Sequence, residues 1–174
     1  MLAKKTYPLS ASQFIAWGTH PFITPRIRGI IEHHAHHQAV LKYQCANFPP
    51  QKVISADVER WMDSENMPSL IRSAELVMSE EIISTIHRDL RLHGRIDQLY
   101  QYGGWHFLVD TKSHCETTFS DQLQLSFYSF ILSKNGYQVA PFAFIRSVYG
   151  NDVHYEELDI IPSETMVEII GEVE

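Results

Sequence analysis

The stretch Leu92-His93-Gly94-Arg95-Ile96-Asp97-Gln98-Leu99-Tyr100, followed after Gly103-Gly104 by Trp105-His106-Phe107-Leu108-Val109-Asp110-Thr111-Lys112, decides the fold. Both flanks read as strands, and a Gly-Gly pair supplies the positive φ angles of a two-residue hairpin turn. With Gly103 and Gly104 as the loop, Tyr102 pairs with Trp105. Counting outward then sets Asp97 across from Asp110 and Arg95 across from Lys112. Side chains two apart on a strand share a face, so Asp110 and Lys112 point together, while Trp105, Phe107, Val109 and Thr111 point the other way, towards a core. Carboxylates set directly opposite each other repel unless a cation lies between them, and hard oxygen ligands suit Mg²⁺ or Mn²⁺. On the hairpin alone, a solvated face whose acids are neutralised by Lys112 and Arg95 accounts for the same charges equally well.

Downstream, Thr118 to Leu132 reads as a helix with Ser120 or Thr118 as its N-cap and Asn135-Gly136 as its stop. Gln124 and Tyr128 stand one turn apart on one face. An amide and a phenol there can hydrogen-bond phosphate oxygens or a base, or hold a lysine in place. A partly buried polar pair on an amphipathic helix is the competing reading, and on spacing alone the stronger one. Upstream, Thr24-Pro25 starts a helix running to Leu41 that carries His33, His34, His36 and His37. His33 and His37 share a face, so Zn²⁺ capture is conceivable there, although the order Glu-His-His-Ala-His-His is not that of a zinc protease. For most of these histidines a solvated helix face is the plainer reading.

Gly94-Arg95-Ile96-Asp97, Val109-Asp110-Thr111-Lys112 and Gln124 with Tyr128 together resemble the motifs of RecB-like nucleases of the PD-(D/E)XK superfamily. That family places a Gly-x-x-x-His helix ahead of them, which Gly29 to His33 matches. It also opens on a helix to which Leu9-Ser10-Ala11-Ser12 is similar. The resemblance spans about Ser10 to Tyr128, with four short elements in the family's order. It implies an α/β fold, a mixed central β-sheet flanked by helices in a restriction-endonuclease-like core. It also implies His33, Asp97, Asp110 and the Thr111 backbone carbonyl as ligands of Mg²⁺ or Mn²⁺, with Lys112 orienting or deprotonating the attacking water and Gln124 and Tyr128 positioning the lysine or the strand. A family glutamate on the preceding strand corresponds to Glu75, Glu80 or Glu81, and the sequence does not choose among them. The iron-sulfur cluster of some relatives is not expected, because Cys45 and Cys115 are the two cysteines present.

The 174 residues, 44% of them hydrophobic, suit one nuclease domain over 1–174, with no apolar run able to cross a membrane. No secretory leader is read at Met1-Leu2-Ala3-Lys4-Lys5, so a cytoplasmic location is the expectation. Phe48-Pro49-Pro50 and Met67-Pro68 read as local turns between helices. Strands over Val139 to Val148 and Val153 to Ile160, and a docked helix after Pro162, complete the order. A net charge of -7 argues against a broad electrostatic grip on DNA. It leaves Arg26, Arg28, Arg91 and Arg95 to line one cleft, with metal reversing the charge of an acidic pocket.

The expected function is that of a metal-dependent DNA nuclease, an exonuclease acting on linear or single-stranded ends in recombination, repair or phage and mobile-element DNA processing. A helicase, recombinase or other protein partner and a homo-oligomer are compatible with it. The alternatives are a catalytically inactive nucleic-acid-binding protein, or a His-rich scaffold binding Zn²⁺ at His33, His36 and His37.

Overall fold

The computed structural model of the chain describes residues 36, 37, 39, 40, 60, 62–149 and 152–172. Among these, strands β1 (Glu75–His87), β2 (Leu90–Tyr102), β3 (Trp105–Lys112), β4 (Phe142–Tyr149) and β5 (Asp152–Asp159) form one sheet in that order. Helices α1 (Ser69–Ser73), α2 (Phe119–Lys134) and α3 (Ser163–Gly171) accompany it. His33, the Leu9 to Ser12 segment, the Thr24-Pro25 helix start and the Phe48-Pro49-Pro50 turn lie outside the described residues.

The hairpin forms as counted from its turn as far as the Gln98–Val109 pair. Gly103 and Gly104 hold φ of +57° and +88°, which a residue with a Cβ rarely adopts, and Tyr102 faces Trp105 across the turn. Strands β1, β2 and β3 run antiparallel, β3 and β4 are parallel, and β4 and β5 are antiparallel again, so the sheet is mixed. A parallel pair needs a crossover, which α2 supplies between β3 and β4. Thr118 caps this helix by accepting from the Asp121 backbone N–H, and Asp121 returns the bond to Thr118 in a full capping box. Asn135 ends it, followed by Gly136 at φ +88°.

Both faces of the sheet are covered at its central strands, which strict alternation along β3 does not foresee. Leu99, Leu108 and Ile145 pack with Leu125, Phe130, Ile131 and Leu132 of α2 and with Met166 and Ile170 of α3. On the opposite face Tyr100, Phe107, Val109 and Phe144 pack with Met62, Met67 and Ile71. Phe107, Leu108 and Val109 are therefore buried in succession, the pattern of a strand sandwiched between layers. Trp105, expected in the core, is 46% exposed, because it stands at the turn end of β3 where neither layer closes over it. Strand β4 begins at Phe142 rather than Val139, and Val139 contributes an isolated bridge to His106. The terminal helix docks as expected, Met166 and Ile170 sharing its buried face one turn apart.

Candidate active site

The site forms where β2 and β3 part. Their ladder runs from Tyr102–Trp105 to Gln98–Val109, and the next positions along the count are Asp97 and Asp110. There the Thr111 backbone N–H donates to Asp97 Oδ2 at 2.7 Å, so a side chain takes the place of the next ladder bond and pins Asp97 against β3. Strand β2 also loses its alternation here. Ile96 and Leu99, of opposite parity, both join the core beneath α2, so the chain turns over between them, at Asp97-Gln98. On the other side Ser79 pairs with Gln98 and Glu81 with Ile96, which makes Glu80 the strand neighbour of Asp97. Glu80 holds φ of +57°, a left-handed conformation that disfavours a glutamate by about 1 kcal/mol or more and marks a constrained position. Of the three candidate glutamates, Glu80 is the one next to Asp97, while Glu75 and Glu81 are exposed.

Lys112 is the hub. Its Nζ lies 2.8 Å from Asp110 Oδ2, donates to Gln124 Oε1 at 2.8 Å, and stands 3.6 Å from Asp121 Oδ1. Gln124 Nε2 in turn donates to the Tyr128 hydroxyl at 3.1 Å. The two helix residues, one turn apart, thus hand a hydrogen-bonded line from α2 to the lysine and on to Asp110. Tyr128 reaches this position because it lies against Gly94. A Cβ at residue 94 would come within 2.4 Å of Tyr128 Cε1, so the glycine makes room for the ring. Burial of Lys112 opposes its charge, but Asp110, with Asp121 and Asp97, outweighs that and holds its pKa above the ordinary lysine value. Lys112 is therefore an ammonium at neutral pH.

Asp121 is a site neighbour that the sequence reading passed over. It is 5% exposed, spends Oδ2 on Thr118 and presents Oδ1 to Lys112 and, at 3.6 Å, to His114 Nε2. The signal was available in Thr118-Phe119-Ser120-Asp121, a capping box directly after the Asp-x-Lys strand. Arg95 departs from the expected patch. With the ladder ended at Gln98–Val109 it no longer faces Lys112, and its exposed guanidinium stands 3.9 Å from Glu80.

His36 corrects the reading of a solvated histidine face. It is 5% exposed and lies 3.5 Å from Glu65, on the face of the sheet away from α2. There Arg146 grips Glu65 with two hydrogen bonds of 2.8 and 2.7 Å, and the Tyr155 hydroxyl donates to the same carboxylate at 3.1 Å. Gln98 accepts from Tyr100 at 3.1 Å beside them. His37 turns elsewhere, its Nδ1 lying 2.7 Å from Ser79 Oγ. The two described histidines thus have separate partners, which does not favour the zinc scaffold.

Among the described residues no three His, Cys, Asp or Glu side chains are grouped tightly enough to enclose an ion. Asp97 and Asp110 nonetheless fit a divalent cation by donor chemistry, being hard oxygens on the residues next beyond the last β2–β3 pair, and Asp110 already holds a cation in the form of the Lys112 ammonium.

Residues 31–154 match the family described as the PD-(D/E)XK nuclease superfamily. The chain belongs to that superfamily. Its nucleases depend on divalent metal ions, in keeping with the paired aspartates. Among solved structures, the protein named "Putative exonuclease" from Eubacterium rectale is similar over 86% of this chain and 66% of its own, at 12% identity and a TM-score of 0.51. SSO0001 is similar over 87% of this chain and 60% of its own, at 13% identity and a TM-score of 0.49. The chain thus spans just under two thirds of the length of the first and less of the second. At these identities the first likeness speaks to the shared α/β fold. No curated protein matches the chain.

Proposed function

We propose that this PD-(D/E)XK protein is a Mg²⁺- or Mn²⁺-dependent deoxyribonuclease, acting as an exonuclease on linear or single-stranded ends in recombination, repair or the processing of phage and mobile-element DNA, with residues 1–174 as one nuclease domain. The observation that carries it is the line Asp110–Lys112–Gln124–Tyr128 set beside Asp97.

Asp97, Asp110 and the Thr111 carbonyl, with His33, would hold the metal. When bound, a divalent ion polarises the phosphate and brings the pKa of a coordinated water from ~15.7 towards neutrality. Lys112, held as an ammonium by its carboxylate neighbours, orients that water and donates to the phosphate oxygens as charge builds on them. Gln124 fixes the direction in which the ammonium points, and Tyr128 fixes Gln124. Glu80, strained and adjacent to Asp97, is the glutamate assigned to the metal side of the site.

Incubation of the purified chain with end-labelled linear DNA and covalently closed circles in Mg²⁺ or Mn²⁺ tests this reading. Loss of the end label from linear DNA, with circles intact and EDTA blocking the reaction, is the expected result. Equal cutting of circles would overturn the exonuclease mode, and no cutting of either would overturn the nuclease.

A further inference from the structure

We infer that the exposed face of the β1–β2 hairpin grips the phosphodiester backbone of the nucleic acid strand, with Arg91, His93 and Arg95 as its contacts. The inference rests on the nuclease reading and locates where the substrate is held.

Leu92, Gly94 and Ile96 alternate with these three residues on β2. Leu92 and Ile96 belong to the core beneath α2, and Gly94 meets Tyr128. Arg91, His93 and Arg95 consequently face the opposite way, and all three are exposed. Across the ladder they meet Ile86, Ser84 and Ile82 respectively, also exposed. The face is thus a row of basic and imidazole side chains beside a row with two isoleucines, 70% and 76% exposed at Ile82 and Ile86. Isoleucines that open on an edge strand cost solubility and invite a partner.

Charge selects which partner. The chain carries a net -7, so a polyanion is repelled from most of its surface and drawn to a local cationic row. Successive side chains on one face of a strand stand ~6.8 Å apart, so the three side chains form one short line. The row ends at Arg95, two residues before Asp97, where β2 turns over towards α2. The isoleucines offer sugars and base faces an apolar surface between the cations. A protein of net -7 would then bind DNA through one narrow track whose last cation, Arg95, is two residues from Asp97 on β2.

Fluorescence anisotropy of the full chain with a labelled single strand in EDTA, across a salt series, reads this grip apart from catalysis. Arg91→Ala/Arg95→Ala should bind about 10- to 50-fold more weakly near 0.1 M salt and should lower the slope of log affinity against log salt by about 1.4, for two contacts at ~0.7 each. Melting should be unchanged, because both side chains are exposed. Lys134→Ala, which removes an exposed lysine at the far end of α2, should leave affinity and slope as in the wild type. Unchanged binding in the arginine variant, or an equal loss in Lys134→Ala, would overturn the proposal. So would a dimer in sedimentation that Ile82→Ser disperses without weakening nucleic acid binding, since the face would then belong to a second copy. A wild type that shows the expected binding and slopes yet cuts nothing in Mg²⁺ or Mn²⁺ defeats the nuclease reading and leaves the grip standing; one that cuts while the arginine variant binds as well does the reverse.

Discussion

The sheet carries buried charge on both faces near Thr111, and the two faces arrange it differently. Away from α2, acid and base are matched one for one: Arg146 takes both oxygens of Glu65, while Tyr155 and His36 complete its surroundings. Under α2 three carboxylates act on one lysine, with Asp110 in contact at 2.8 Å, Asp121 at 3.6 Å and Asp97 near enough to raise its pKa. A matched pair holds elements together, here Glu65 to β4 and β5. A cluster rich in carboxylate is a poor fastening and a good place for a cation. Charge composition, more than burial, sets the two faces apart.

The comparison breaks most easily at its strongest point. Asp110→Ala should lower cleavage of linear DNA at least ~10³-fold, about 4 kcal/mol of barrier, while the variant still melts cooperatively. Glu65→Ala should do the opposite, leaving Arg146 as a buried unpaired charge at a cost of about 3–5 kcal/mol of stability. Its rate per folded molecule should match the wild type. Single-turnover cleavage and urea unfolding on both variants decide the matter; a folded, active Asp110→Ala or an inactive but fully stable Glu65→Ala would interchange the roles of the faces.

The acid side of the pH profile should belong to the matched face. Burial alone would push the Glu65 carboxyl up, but hydrogen bonds from His36 and Arg146 overcome it and bring its pKa down to about 2, from an ordinary 4.5. Burial lowers the pKa of His36 below 6.5. In both cases the unfolded chain binds the proton more readily, so stability is fully present above the unfolded values and is lost on acidification. The first loss begins as the pH falls below 6.5, from His36, and the second runs from 4.5 down through about 2, from Glu65. The Glu65 step is worth on the order of 3 kcal/mol. Unfolding midpoints measured against pH should show that lower step in the wild type and not in Glu65→Gln; a step that persists in the variant assigns the acid sensitivity to another carboxylate.

Local chemistry was legible in the sequence, and long-range chemistry was not. The Gly103-Gly104 turn, the β2–β3 register as far as Gln98–Val109 and the limits of α2 follow from rules acting over a few residues, and the structure has them. The Lys112–Gln124 contact lies outside such rules, and the likeness of the motifs pointed to it. Arg95 was misplaced because counting assumes an unbroken ladder, whereas the Asp97 carboxylate takes the Thr111 N–H and ends it. Trp105 was misplaced because alternation says which side a residue faces but not how far the covering layer extends. His36 looked like one of four surface histidines because its burial depends on Glu65 and Arg146, far away in the chain. Its neighbour His33 lies outside the described residues, so its assignment to the metal still rests on Gly29-x-x-x-His33.

The smallest effect probes the outer end of the line through Lys112. Tyr128 is two hydrogen bonds from the ammonium, and its hydroxyl does no more than hold the Gln124 amide with its oxygen towards the lysine. Tyr128→Phe removes that hydroxyl and little volume, so Gln124 gains freedom and Lys112 loses part of its aim. A loss of about tenfold in single-turnover rate, ~1.4 kcal/mol, is expected, with melting nearly unchanged. Gly94→Ala should reach the same end from the strand side, because the added methyl meets Tyr128 Cε1 at 2.4 Å and the ring must move off Gln124. If both act through that one hydroxyl, the double variant loses little more than either single one. Gln124→Ala, which touches Lys112 directly, should cost more than both. Wild-type rates in Tyr128→Phe and Gly94→Ala would return this end of α2 to the packing that spacing alone suggests, and a fall in melting without a fall in rate would make Gly94 a residue of the fold alone.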